Sequence, residues 1–200
     1  MSAARAENHA TSLPSSPKRD HLVTTAWQLF YRDGYRAVGI DTLLAEAGVA
    51  KMTLYNHFAS KEELIVAVLE ERSALLQRTL DAALIDAGKT PARQVGAVFD
   101  GLKKFFESDE FKGCAFIRAL SEYPDPKHPI HQAAWSHKRA VNSRFLAIAK
   151  NAGAKNPASV ADTISLLVDG AIVAAHATGS SDSANQARSA ALSLLKLASE

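Results

Sequence analysis

An all-α fold is predicted, with an N-terminal three-helix helix-turn-helix domain followed by a larger C-terminal helical domain, and three observations predict it. Apolar residues recur at helical spacing in one segment after another from Lys18 to the C-terminus. Several segments are opened by N-cap signals, Ser60 before Lys61-Glu62-Glu63, Thr90-Pro91 and Asn156-Pro157, and closed by Gly34, Gly48, Gly88 and Gly153. Between Asp41 and Lys61 two of the segments are short and meet at Gly48, the arrangement of two helices joined by a tight turn.

Residues 1–17 are rich in Ala, Ser and Pro without periodicity and are expected to be a disordered arm, because they cannot bury enough surface to offset their ordering entropy. From Lys18 the stripe Leu22, Ala26, Leu29 and Phe30 makes a helix that Gly34 ends. Leu43, Leu44 and Ala47 follow Asp41, a carboxylate suited to the positive end of a helix, and Gly48 supplies the left-handed stop. The next helix is expected from Ala50 or Lys51 to Phe58, with Leu54 and Phe58 on its core face. Such a helix is too short to stand alone. Lys51, Met52, Thr53, Tyr55, Asn56 and His57 therefore point away from a core that holds them out for a purpose. These elements set an expected domain at residues 18–62.

Ser60-Lys61-Glu62-Glu63 is a capping box, with Glu63 expected to reach back to the Ser60 backbone. The long helix it starts runs to about Ile85 and touches both domains, which suits it to transmit movement. A helix from Pro91 carries Val95, Val98, Phe99, Leu102, Phe105 and Phe106, and a polar break at Ser108 to Lys112 follows it. GCAFIRALSEY is a short, mostly apolar helix ended by Pro124, and a longer one spans about His128 to Asn151. The last two helices, after Asn156-Pro157 and after the loop GSSDS, are apolar on more than one side. In a monomer one of those faces would meet water, so a two-fold dimer through a four-helix bundle is expected. The interface is placed on Val168, Ala171, Ile172, Ala175, Ala191, Leu194 and Leu195. Residues 63–200 form the expected effector-binding and dimerisation domain.

With 47% hydrophobic residues and one Cys in 200, the chain suits a buried core without a disulfide framework and a reducing compartment, so a cytoplasmic protein is expected. A formal net charge of +2 does not by itself name nucleic acid as a partner; the placement of the cations must. No segment reads as a signal peptide or as the ~20 apolar residues of a membrane span. No cofactor is expected. His128, His131 and His137 do not converge on one helix face, so no metal is expected, and Cys114 reads as a small buried hydrophobe. Two other function classes fit the sequence less well. An all-α small-molecule enzyme would need a site that no nucleophile elbow, zinc-binding helix or phosphate loop announces, so no catalytic residue is assigned. An interaction adaptor would explain the dimer faces and leave the short exposed helix without a role.

GVAKMTLYNHFASKEEL resembles the recognition helix and following helix start of the TetR/AcrR family of one-component transcriptional regulators. The resemblance extends back through RDHLVTTAWQLFYRDGYRAVGI, covering about a quarter of the chain, with weaker agreement beyond. Ala50 stands where that family usually has a capping serine, and Gly39 where it has a threonine or serine. The resemblance implies a homodimeric regulator that binds double-stranded DNA at a palindromic operator, most simply a repressor released by a small apolar or amphipathic effector. It also implies that Tyr55, His57 and Lys61 go to phosphates, for which hydroxyl, imidazole and ammonium groups are suitable donors, while Lys51, Met52, Thr53 and Asn56 are the candidates for base edges. For a regulator of this kind, Phe99, Leu102, Phe106, Phe116, Leu120 and Trp135 are expected to line one apolar effector cavity, with Glu122 and His137 as its polar groups.

Overall fold

The computed structural model describes residues 16–199, so most of the expected arm lies outside the described residues. It forms helices α1 (Pro17–Asp33), α2 (Ile40–Ala47), α3 (Lys51–Tyr55), α4 (Lys61–Asp86), α5 (Pro91–Phe106), α6 (Ala115–Glu122), α7 (Pro129–Asn151), α8 (Pro157–Thr178) and α9 (Asp182–Ser199), with no strand among the described residues. The first helix begins earlier than expected: Ser16 is the N-cap of α1, its side chain accepting from the Arg19 backbone, and Pro17 is the first helical residue. Proline tolerates that position because its missing N–H would have had no helical partner.

The other caps follow their chemistry. Gly48 adopts φ 62°, ψ 32°, and its N–H bonds back to Ala45 and Leu44. At the start of α4 the Ser60 hydroxyl accepts from Glu63 N at 3.1 Å, while the Glu63 carboxylate reaches one residue further than expected, to Ala59 N at 2.6 Å. Asn156 caps α8 through Ser159 N, and Thr90 does not use its side chain.

Two cores hold the helices. The first gathers Leu22, Leu29, Phe30, Tyr35, Leu43, Leu54 and Phe58 from the N-terminal segment, and it continues into Leu64, Ile65, Val68 and Leu69 of α4, Phe116 and Ala119 of α6, and Ile130 and Ala134 of α7. The expected boundary at 62/63 is therefore not a boundary of packing. Three short helices cannot exclude water from both sides of so small an apolar cluster, and α4, α6 and α7 close it. The second core combines Val95 and Phe99 of α5, Phe145 and Ile148 of α7, and the inner faces of α8 and α9.

α8 is by length and composition apolar enough to cross a membrane, an exception to the reading that no segment is. Here it packs between α7 and α9, with Val160, Ile164, Val168, Ala171 and Ala175 turned into the second core. This corrects the expected interface: Val168, Ala171, Ala175, Ala191 and Leu195 are buried within one chain, and Ile172 and Leu194 are half-buried. The apolar positions left in water are Ala158, Leu166, Val173 and Ala177 of α8, with Gly170 in the same row as the last three, and Ala190 and Leu197 of α9. An all-round apolar helix gives no periodic signal for which side meets its own chain.

Candidate nucleic-acid interface

The recognition segment is held by two side chains. Leu54 and Phe58 are buried in the first core, and around them Lys51, Met52, Tyr55 and Asn56 are exposed, while Thr53 and His57 are half-buried. Regular helix stops at Tyr55 rather than Phe58, but the chain stays wound: Asn56 N bonds Met52 O at 2.9 Å and Phe58 N bonds Leu54 O at 2.9 Å. Gly39 and Ala50 occupy the N-cap positions of α2 and α3 without a side-chain cap. The start of α3 therefore has no side-chain cap, and Thr53 N bonds Ala50 O at 2.9 Å instead.

Further cations border this surface. Arg19 lies with its guanidinium carbon 5.3 Å from the Phe58 ring centre, placing α1 against the recognition segment, and His21 Nε2 is 3.0 Å from Ala47 O. Lys61 Nζ donates to Arg36 O at 3.3 Å and lies 6.0 Å from the Phe30 ring centre; burial pulls its pKa down. Arg36 lies over Tyr123 at 5.0 Å. Sequence reasoning missed Arg36, because only the α1–α2 turn brings it to Lys61. The basic edge thus collects side chains from α1, the α1–α2 turn, α3 and α4, although the net charge of the whole chain is small.

A family model for bacterial regulatory proteins of the tetR family matches residues 22–68. A solved TetR-family transcriptional regulator from Streptomyces coelicolor is 31% identical, superimposes with a TM-score of 0.82, and is matched over 92% of this chain and 96% of its own. The chain belongs to the TetR family of transcriptional regulators. Its sequence is also 36% identical over 99 residues to the HTH-type transcriptional repressor DhaR of Mycobacterium sp. (strain GP1), covering 50% of this chain and 48% of DhaR. A second likeness, 36% over 107 residues, is to the HTH-type transcriptional activator FasR of Mycolicibacterium smegmatis, covering 48% of this chain and 49% of FasR. This chain thus spans about half the length of these two curated relatives in alignment. Like the TetR family at large, it is an all-helical, DNA-binding regulator with an N-terminal helix-turn-helix domain.

In this TetR-family fold the expected effector residues do not share one cavity. Phe99, Leu102 and Phe106 belong to the second core, Phe116 and Leu120 to the first, and Trp135 is 52% exposed on the outside of α7. Residues of like polarity on three helices gave no information about which core each would join. Glu122 has a different position: its carboxylate accepts from Tyr35 N at 3.2 Å and Arg36 N at 2.6 Å. With Tyr35 Oη donating to Ala115 O at 3.1 Å and Arg118 Nη1 to Tyr31 O at 2.9 Å, both ends of α6 clamp the end of α1 and the turn after it.

A cavity of about 370 Å³ does open elsewhere, between α4 and α7. His137 lines it with Ser73 and Gln77; Glu70, Gln132 and Ser136 stand on its more exposed side. Val66, Pro129 and Ala133 complete the wall. Gln77 Nε2 donates to Ser73 Oγ at 2.8 Å, and the same oxygen lies 3.0 Å from His137 Nδ1, a hydrogen bond whose donor is set by the ring tautomer. The ring stacks on Phe116 of α6 with centroids 3.6 Å apart and planes 7° from parallel.

Burial, then the cations Lys138 and Arg144, push the His137 pKa down to about 4. The folded protein therefore binds a proton less readily than the unfolded chain, whose histidine titrates near 6.5. The His137 contribution is fully present above pH 6.5, declines as pH falls toward 4, and amounts to about 3 kcal/mol over that window. His137→Gln should flatten the pH dependence of the melting temperature between those limits. A slope identical to that of the parent would show that His137 is not the group concerned.

Proposed function

We propose that this regulator is a cytoplasmic homodimeric repressor that holds a palindromic operator with α3 and lets go when a small effector enters the α4–α7 cavity. The observation that carries the DNA-reading part is the outward display of Lys51, Met52, Thr53, Tyr55 and Asn56 from a segment pinned by Leu54 and Phe58. In this reading residues 18–62 dock on DNA and residues 63–200 receive the effector and the partner subunit. No catalytic role is assigned to any residue. The exposed face of Leu166, Gly170, Val173 and Ala177, with Leu197 at the opposite end of the antiparallel α8–α9 pair, meets its symmetry mate, and the two recognition segments then stand ~34–36 Å apart, one helical turn of DNA.

Effector release follows from the clamp. An occupant that moves His137 moves the Phe116 ring stacked on it, hence α6, whose Arg118 and Glu122 hold the backbone at Tyr31, Tyr35 and Arg36. A ~100-fold loss of operator affinity needs about 2.7 kcal/mol of preference by the effector for the released conformation.

Two kinds of DNA contact should separate in binding assays. Tyr55→Phe and Lys61→Ala should weaken binding to all sequences alike, and the lysine change should lower the salt slope by ~1 if its ammonium leaves Arg36 O for a phosphate. Lys51→Ala and Thr53→Ala should change the preference among operator variants by about 1–3 kcal/mol per contacted base pair. Filter binding across a randomised operator library measures both. Sequence preference unchanged in the Lys51 and Thr53 variants would remove α3 as the reading element.

A further inference from the structure

Apart from the tyrosines, the polar side chains buried to the level of the apolar core among the described residues are Thr25, Ser73 and His137. Two of the three meet at the α4–α7 cavity, bonded to each other and to Gln77. Buried polar groups cost free energy wherever they are not fully partnered, so placing them together in the wall of a cavity points to a ligand with hydrogen bonds to complete. The bonded chain also fixes what is on offer. Gln77 spends one amide N–H on Ser73, which leaves its Oε1 as an acceptor, and His137 is a neutral imidazole at pH 7.

Charge decides the rest. No Lys or Arg lines the cavity, and Glu70 is its single formally charged residue. Among the described residues Glu70 forms no ion pair. An anion entering here would meet the Glu70 carboxylate, while Lys138 and Arg144, the cations that act on His137, stand outside the wall paired with Asp169 and Asp81; an apolar body would cover Gln77, Gln132 and Ser136 without satisfying them. We propose that the cavity takes a small organic cation, an amine or amidinium carrying a neutral hydrogen-bonding group, with the cation at Glu70 and the neutral group at Ser73, Gln77 and His137. This replaces the apolar or amphipathic effector expected from the sequence, and as an account of regulation it rests on the effector-release reading above.

The test is calorimetric titration of the full chain, without DNA, with three five-carbon probes of one skeleton: aminopentanol, pentanediol and hydroxypentanoate. The amino alcohol should bind at least about threefold more tightly than the diol, the range of a solvent-exposed ion pair, and the hydroxy acid more weakly than both. Glu70→Gln, a change at an exposed position, should bring the amino alcohol to the level of the diol without lowering the melting temperature. Side-chain NMR should show the His137 imidazole signals moving with the amino alcohol. Equal binding of all three probes, no binding of the amino alcohol at millimolar concentration, or a Glu70→Gln protein that keeps the preference would each overturn the site. Operator release is then measured separately with the same probes: an amino alcohol that binds but leaves operator affinity unchanged overturns the effector reading and leaves the cation site standing.

Discussion

Replacing Val173 and Leu197 together by glutamate should give a folded monomer with at least ~100-fold weaker operator binding. Both side chains stand in water in the single chain, at 53% and 70% exposure, so the substitutions remove nothing from either core. In a dimer they would bring a carboxylate to each end of the seam that every copy of the α8–α9 pair contributes, where each would be desolvated without a partner cation. Operator binding suffers because two linked half-site contacts become two independent ones, and the effective concentration that joins them is lost. Sedimentation and circular dichroism provide the check: helix content should persist while the mass halves. Ala171→Arg is the informative contrast, since Ala171 is 4% exposed against its own chain and a guanidinium there should unfold the protein rather than divide a dimer. A double glutamate variant that still sediments as a dimer would reject the exposed α8–α9 face as the interface.

Gly34→Ala should lower stability by about 3 kcal/mol, roughly 5–10 °C in melting temperature for a chain of this size. Gly34 adopts φ 97°, ψ 159°, a region almost closed to residues with a side chain, and a Cβ built there would lie 3.1 Å from Glu122 Oε1. The alanine therefore strains the end of α1 and pushes on the carboxylate that accepts from Tyr35 N and Arg36 N. Glu122→Ala removes the acceptor without the strain and should cost about 1–3 kcal/mol, because two backbone donors are left short of a partner. Both variants should also weaken operator binding, as the turn they loosen carries Arg36, whose carbonyl receives Lys61. Calorimetry on the two variants, with operator titrations, tests the clamp. A Gly34→Ala protein that melts with the parent would show that the turn relaxes freely and that α6 does not fix it.

The helices were legible in the sequence because their signals are local. Ser60 with Glu63, Pro91, Asn156 with Pro157, and Gly48 each act within one turn of the residue that carries them, so the sequence order is the geometric order. Leu54 and Phe58 were legible as the buried side of the recognition segment for the same reason, since four residues is one turn. What tertiary packing decided is which of several equivalent apolar faces met which neighbour. Val173 and Ala171 lie two residues apart on a helix apolar all round, and only the position of α9 and α7 turned Ala171 inward and left Val173 out. Phe99 and Phe116 are chemically alike, yet α5 joined the second core and α6 the first. Glu122, in reach of Tyr35 and Arg36 across more than eighty residues of chain, and His137, brought against Ser73 and Phe116, acquired their partners from the fold. Local hydrogen-bond chemistry sets a cap, whereas a clamp or a cavity exists only once separate helices have been brought together.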